Sequence, residues 1–149
     1  GMNIAITRFV NIYGPGDIHM SRLIPYTITQ ALKNKPVLMR SSGKAWRDYM
    51  YVDDVIDAYA ELAQSKEKGA FNFGAGNPIM GEDIVKKILK LAKSKSKIRI
   101  LNTAKSEIEA QCVVSRKARQ MLNWRPKIKL EKGLKKTIRW WRNENTHNR

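Results

Sequence analysis

Four polar side chains in this sequence have both the chemistry and the setting to hold an anion. Asn11 ends an apolar run and leads into Gly14-Pro15-Gly16. An amide there can donate to a phosphate oxygen or a carbonyl at a strand end, where ligands gather in α/β folds. It can equally fix its own loop. Arg47, in Trp46-Arg47-Asp48-Tyr49, sits between apolar neighbours. A guanidinium held there can grip a diphosphate with two parallel hydrogen bonds, or pair with Asp48 or Asp17. Arg22, just after the first loop, is a second phosphate candidate or a surface cation. Asn77, in Gly74-Ala75-Gly76-Asn77-Pro78, is a third polar contact or a turn-former.

Other chemistries find less in the sequence. His19, His147 and Cys112 stand alone, without the paired spacing of a metal site. No G-x-S-x-G elbow is present, and neither histidine is set to serve a nucleophile. Asp53-Asp54 could be paired carboxylates for acid–base work, but their place at a helix start suits capping better. Gly74-Ala75-Gly76 begins like a dinucleotide-binding turn, yet position 79 is Ile and no turn into a helix follows. No catalytic residue and no metal are therefore expected.

These residues need elements to hold them. Residues 3–10 are rich in β-branched types and read as a buried strand, with 11–17 a loop. A helix is expected over 22–34, with Ile24, Ile28, Ala31 and Leu32 inward and Ser21 as its cap. Residues 36–40 read as a short strand and 46–52 as extended. Val52, Val55, Ile56, Tyr59, Leu62 and Ala63 then give helical spacing. A strand over 70–73, a loop over 74–78, a helix over 82–93 and a strand over 98–101 follow. Ser115 is placed to cap a helix through Leu122, with Pro126 just beyond it. A last amphipathic helix runs from Leu130 to Arg142, and the polar tail 143–149 is expected to fray. Strands alternating with helices predict an α/β or α+β domain.

The bulk properties agree. The chain has 149 residues, 42% hydrophobic and 28% charged, enough for one domain with a core. No apolar run is long enough to span a membrane, and no leader peptide is expected. Gly1-Met2 reads either as a scar ahead of an initiator methionine or as native sequence. One cysteine rules out an intrachain disulfide and fits a cytoplasmic protein. The net charge is +16, and residues 86–99 hold seven Lys/Arg and no acid. That raises nucleic acid as a partner. Apolar residues interleave at helical spacing without a run of stacking aromatics, which favours a solvated helix face instead.

Taken together, the residues resemble a known family. Arg8-Phe9-Val10-Asn11-Ile12-Tyr13-Gly14-Pro15-Gly16-Asp17 is similar to the Arg-x-x-Asn-x-Tyr-Gly-Pro segment of extended short-chain dehydrogenases/reductases, the nucleotide-sugar epimerases and dehydratases. Ser21-Arg22-Leu23-Ile24-Pro25, Pro36-Val37, Gly43 and Arg47-Asp48-Tyr49-Met50-Tyr51-Val52-Asp53-Asp54-Val55 follow in family order. So do Phe71-Asn72-Phe73-Gly74, Leu122-Asn123-Trp124-Arg125-Pro126 and Leu130 through Trp141. Tyr-Gly-Pro-Gly-Asp with Ser-Arg-Leu-Ile-Pro leans toward the CDP-glucose 4,6-dehydratase branch.

The resemblance implies the C-terminal part of a Rossmann-like NAD(P)-binding fold: a small mixed α/β substrate-binding domain over 1–149. Residues 3–13 would belong to a cofactor-domain sheet. The parent chemistry would be isomerase or lyase work in carbohydrate biosynthesis, on a nucleoside diphosphate sugar with NAD. Asn11 and Arg47 would contact the diphosphate. Arg22, Leu23, Pro25, Pro36 and Val37 would line the nucleoside, with Asn77 a weaker match. Gln111 or Arg116 would stand in for a further arginine common in the family. The family's Tyr-x-x-x-Lys is absent: Tyr13, Tyr26, Tyr49, Tyr51 and Tyr59 are followed four positions on by Asp17, Gln30, Asp53, Val55 and Ala63. The chain is thus expected to bind sugar nucleotide, to be inactive alone, to carry no NAD, and to need a cofactor-binding half. An exposed edge at strand 3–10 would favour a homodimer. The other readings are a stand-alone module completed by a partner subunit, or a basic nucleic-acid-binding protein.

Overall fold

The structure, a computed structural model, describes residues 2–147. Gly1 and the last two residues lie outside the described residues, as do the side chains of residues 145–147. The elements in order are β1 (Ala5–Phe9), β2 (Asn11–Tyr13), α1 (Leu23–Leu32), β3 (Val37–Met39), β4 (Trp46–Arg47), β5 (Tyr49–Tyr51), α2 (Val52–Gln64), β6 (Gly69–Phe73), β7 (Ile79–Met80), α3 (Gly81–Ala92), β8 (Ile98–Ile100), β9 (Ala110–Gln111), α4 (Arg116–Met121) and α5 (Leu130–His147). This is the mixed α/β architecture the alternation predicts.

Pairing is mostly parallel. β1 lies beside β6, Ala5 opposite Gly69; β2 beside β5, Asn11 opposite Tyr49; and β3 beside β8, Val37 opposite Ile98. β4 sits between β7, antiparallel, and β9, parallel. Asn11–Tyr13 is thus strand, not loop: after Val10 the chain shifts from β6 to β5 and keeps its ladder.

Two clusters form the bulk of the core. One joins Val10, Met50, Val55, Ala58, Leu62, Phe71, Phe73 and Trp124. The other packs Ile24, Ile28, Ala31, Ile84, Ile88, Leu134 and Ile138, from α1, α3 and α5, against Tyr13 and Tyr51. The expected inward faces of these three helices are correct in their central residues.

Four expectations need correction. β1 is not buried: Ile6 is 52% exposed, and Ile4 just before the strand 50%, because one parallel neighbour leaves a face and an edge open. On α2 the buried side is Asp54, Val55, Ala58 and Leu62, while Ile56 and Tyr59 face outward. Ser21 does not cap α1, which starts one residue beyond Arg22 with no side-chain cap. The last helix does not end at Arg142 but continues into the polar tail to His147, and the two residues after it lie outside the described ones.

Three polar groups act as staples rather than caps. The Asp54 carboxylate, 1% exposed, accepts from the backbone N–H of Lys127 (2.8 Å) and Ile128 (3.1 Å), tying the approach to α5 onto α2. Asp53 pairs instead with Lys136 at 2.9 Å. Ser115 holds the N-cap position of α4, but its hydroxyl bonds both backbone groups of Gly74. Asn123 adopts φ +49°, a left-handed helix end that an Asn tolerates. The lysine-rich stretch is a solvated face: Lys86, Lys90, Lys93, Lys95 and Lys97 are exposed, and Lys86 pairs with Glu82 at one-turn spacing.

Candidate functional site

A cleft of about 1490 Å³ opens where β2, α1, β3 and β4 meet. It forms at the C-terminal ends of parallel strands, where chains in α/β folds leave the sheet and open a crevice. Asn11, Arg22, Leu23, Pro25 and Arg47 all line it. Pro36, Val37 and Asn77 do not.

The reason for Val37 is strand alternation. Val37 and Met39 point into a small core with Val85, and Val37 is wholly buried. Leu38 points out, and Leu38, Met39 and Arg40 reach the cleft. The Leu38 N–H is fixed by the Tyr26 hydroxyl at 3.1 Å. Pro36 is exposed. Asn77 is exposed too and folds back onto the Ala75 carbonyl at 3.2 Å.

Asn11 is held from both its polar ends. Its backbone N–H and its side-chain amide both donate to the Asp48 carbonyl, at 3.2 and 3.1 Å. One amide N–H is thus taken within the chain, while the amide oxygen and the second N–H make no hydrogen bond to another described residue. Arg47 lies along β4 with one guanidinium nitrogen donating to the Trp46 carbonyl at 2.8 Å and the other 3.9 Å from the Glu107 carboxylate. Its carboxylate partner is neither Asp48 nor Asp17. Asp17 instead takes Arg22 at 3.3 Å and the His19 N–H at 3.3 Å.

Three arginines and two carboxylates line the cleft: Arg22, Arg40, Arg47, Asp17 and Glu107. Such a wall carries a surplus of positive charge and favours an anion. Arg40 was not singled out by sequence; it sits at the outer end of β3 with no motif around it. Neither Gln111 nor Arg116 reaches the cleft. Tyr49 forms part of the wall, and burial pushes its phenol up to about 12, partly offset by Arg47. Tyr13, at the cleft floor, is raised further by burial and by the nearby Tyr51 and Asp54. Both remain neutral hydrogen-bonding groups at neutral pH.

The Gly74–Gly76 turn has a different purpose. A Cβ on Gly74 would lie 2.8 Å from Val113 and 2.9 Å from Asp48. The Gly74 N–H is taken by Ser115 and the Gly76 N–H by the Asp48 carboxylate, each at 2.8 Å. These donors face their own chain, so the turn offers no cradle for a pyrophosphate. Among the described residues no cluster of His, Cys, Asp and Glu could hold a metal, and no helix is long and apolar enough to cross a membrane.

Comparison with known proteins places this geometry. Residues 1–74 match the NAD dependent epimerase/dehydratase family. The UDP-glucuronate 4-epimerase of Thermodesulfobacterium geofontis is 32% identical over 146 residues, which cover 94% of this chain and 43% of that protein. The UDP-glucose 4-epimerase of Thermotoga maritima, solved with UDP-glucose, superposes with a TM-score of 0.92 at 26% identity, over 97% of this chain and 48% of its own. The dTDP-glucose 4,6-dehydratase of Bacillus anthracis, solved with NAD, gives 0.86 at 25% identity, over 95% and 45%. The chain spans less than half the length of each.

Proposed function

Because this chain belongs to the NAD-dependent epimerase/dehydratase family, we propose that its cleft binds a nucleoside diphosphate sugar and that it is the substrate-holding half of such an enzyme. The observation that carries this reading is the convergence of Asn11, Arg22, Arg40 and Arg47 on one cleft, in a fold shared with a protein solved around UDP-glucose. Arg47 and Arg22 grip the diphosphate. Leu23, Pro25, Leu38 and Tyr26 form the apolar wall for the nucleoside. Binding energy spent on the nucleotide holds the sugar for chemistry at its ring.

That chemistry needs groups this sequence does not supply. It has no Tyr-x-x-x-Lys, and the residues of its glycine turn do not fit NAD, since their donors are internally satisfied. We therefore assign no cofactor and no turnover to this chain alone. Hydride transfer, for epimerisation or dehydration, would come from a cofactor-bearing half. Its docking place is the open side of β1, so that residues 3–13 complete that half's sheet. A single exposed cysteine, Cys112, fits a cytoplasmic setting.

Calorimetric titration with UDP-glucose, dTDP-glucose and CDP-glucose tests the reading and identifies the base. Saturable binding to one of them is expected. Arg47→Ala should weaken it by about tenfold or more, the loss typical of a charge-assisted pair. Absence of binding to all three overturns the proposal.

A further inference from the structure

Two of the three arginines that line the cleft, Arg22 and Arg47, have a counter-charge, and the two counter-charges are not alike. Asp17 is built in: besides Arg22 it accepts the His19 N–H, so it shapes the loop that carries both. Glu107 does nothing else. Its carboxylate makes no other polar contact among the described residues, and its approach to Arg47 is loose, at 3.9 Å.

Glu107 also sits on an unusual stretch of chain. The segment between β8 and β9 is pinned at both ends to the strands that frame the cleft. At one end the N–H groups of Thr103 and Ala104 both donate to the Arg40 carbonyl, at 2.7 and 2.8 Å. At the other the Trp46 N–H donates to the Glu109 carbonyl at 2.8 Å. Leu101, Thr103, Ala104 and Glu107 thereby form one wall of the cleft. Residues 104–108 between the pins are exposed.

We propose that Glu107 is a specificity-determining residue: a resident counter-ion of Arg47 that an incoming diphosphate must displace. This rests on the cleft being a nucleotide-sugar site. The carboxylate neutralises Arg47 when the cleft is empty, so a ligand gains from that guanidinium only what is left after the resident pair is broken. It sets a threshold: a dianionic diphosphate displaces it, whereas a singly charged or neutral nucleoside gains nothing from Arg47. The cost is a loss of affinity for the true ligand, of the modest size expected for a partly exposed ion pair.

The test is a double-mutant cycle by calorimetry on the whole chain, with UDP-glucose and uridine as probes. Glu107→Gln should tighten UDP-glucose by about threefold to fivefold, the range of a partly screened pair. Uridine binding should not change. In the Arg47→Ala background the same substitution should give no gain, because its effect runs through that guanidinium. Unchanged or weaker UDP-glucose binding by Glu107→Gln, with the wild type binding normally, overturns the proposal; weaker binding would make Glu107 an orienting partner of Arg47. A gain that persists without Arg47 also overturns it. If neither wild type nor Glu107→Gln binds UDP-, dTDP- or CDP-glucose, the nucleotide-sugar reading itself fails and this inference falls with it.

Discussion

The two sides of this molecule are finished to different degrees. On one, α1, α3 and α5 close over Tyr13 and Tyr51, and Ile28, Ile84, Ile88 and Leu134 have no exposed surface. Tyr13 reaches across to the Leu130 carbonyl at 3.1 Å, and Arg142 reaches the Ala92 carbonyl at 3.0 Å. On the other side, Met2, Ile4 and Ile6 of the leading segment and Ile56 and Tyr59 of α2 are all more than half exposed or close to it. They are organised all the same: Phe9 and Tyr59 pack ring to ring, with centroids 5.2 Å apart, and the Thr7 hydroxyl meets that of Tyr59 at 3.2 Å. An ordered apolar face without a cover is where the proposed cofactor-bearing half would dock. The closed side carries the cleft; the open side is where the rest of a larger assembly would attach.

The closed side should tolerate nothing added to it, and the largest effect is expected at Gly133. A Cβ there would run into the Tyr13 hydroxyl and the Tyr51 ring. Alanine in a helix gains about 1 kcal/mol over glycine from propensity, so a glycine kept inside α5 already points to a steric cause. Gly133→Ala should lower stability by about 1–3 kcal/mol in urea unfolding despite that gain, the usual cost of overpacking. A neutral or stabilising result would show that the α5 contact with the tyrosines is loose, and the contrast between the two sides would shrink.

A smaller effect is expected from alkali. Burial holds the Tyr49 phenol up to about 12 against an ordinary value of 10.0, and Tyr13 is raised in the same direction. Between these values the unfolded chain has lost phenolic protons that the folded chain keeps. Stability is therefore intact below about pH 10 and falls as pH rises toward 12. Phenolate absorbance and far-ultraviolet dichroism should show these tyrosines ionising together with unfolding. Ionisation well before loss of structure would mean that the closed side admits water.

How legible this was in the sequence differs by region for a physical reason. The helices of the closed side were readable because their apolar stripes meet other elements of the same chain: Ile84, Val85, Ile88 and Ala92 are all buried. The same periodicity misled at α2, where Ile56 and Tyr59 fit the stripe but face out. Spacing records which residues avoid water, not whether the cover is part of the chain in hand. The two-residue strands β4, β7 and β9 are too short to show any period. In the cleft, Asn11, Arg22 and Arg47 were visible as polar residues beside turns or aromatics. Pro36-Val37 marked the right strand but the wrong residues, since alternation turns Val37 inward and Leu38 outward. Arg40 and Glu107 gave no signal, because their place depends on the pins that bring residues 103–109 against β3 and β4.

The open side should be nearly indifferent to substitution in stability and sensitive in association. Ile6 lies mid-strand in β1, paired with Ala70 on one edge and 52% exposed. Ile6→Lys removes little buried area, so unfolding should shift by no more than about 0.5 kcal/mol, as for most surface changes. A strand with an open edge and an apolar face invites another chain. The wild type should accordingly show concentration-dependent dimer in light scattering, and Ile6→Lys should return it to monomer, because a charge on that face must be desolvated for a second copy or a cofactor half to dock. A wild type that stays monomeric across the same range would show that the face does not bind its own copy and would remove the homodimer from the comparison.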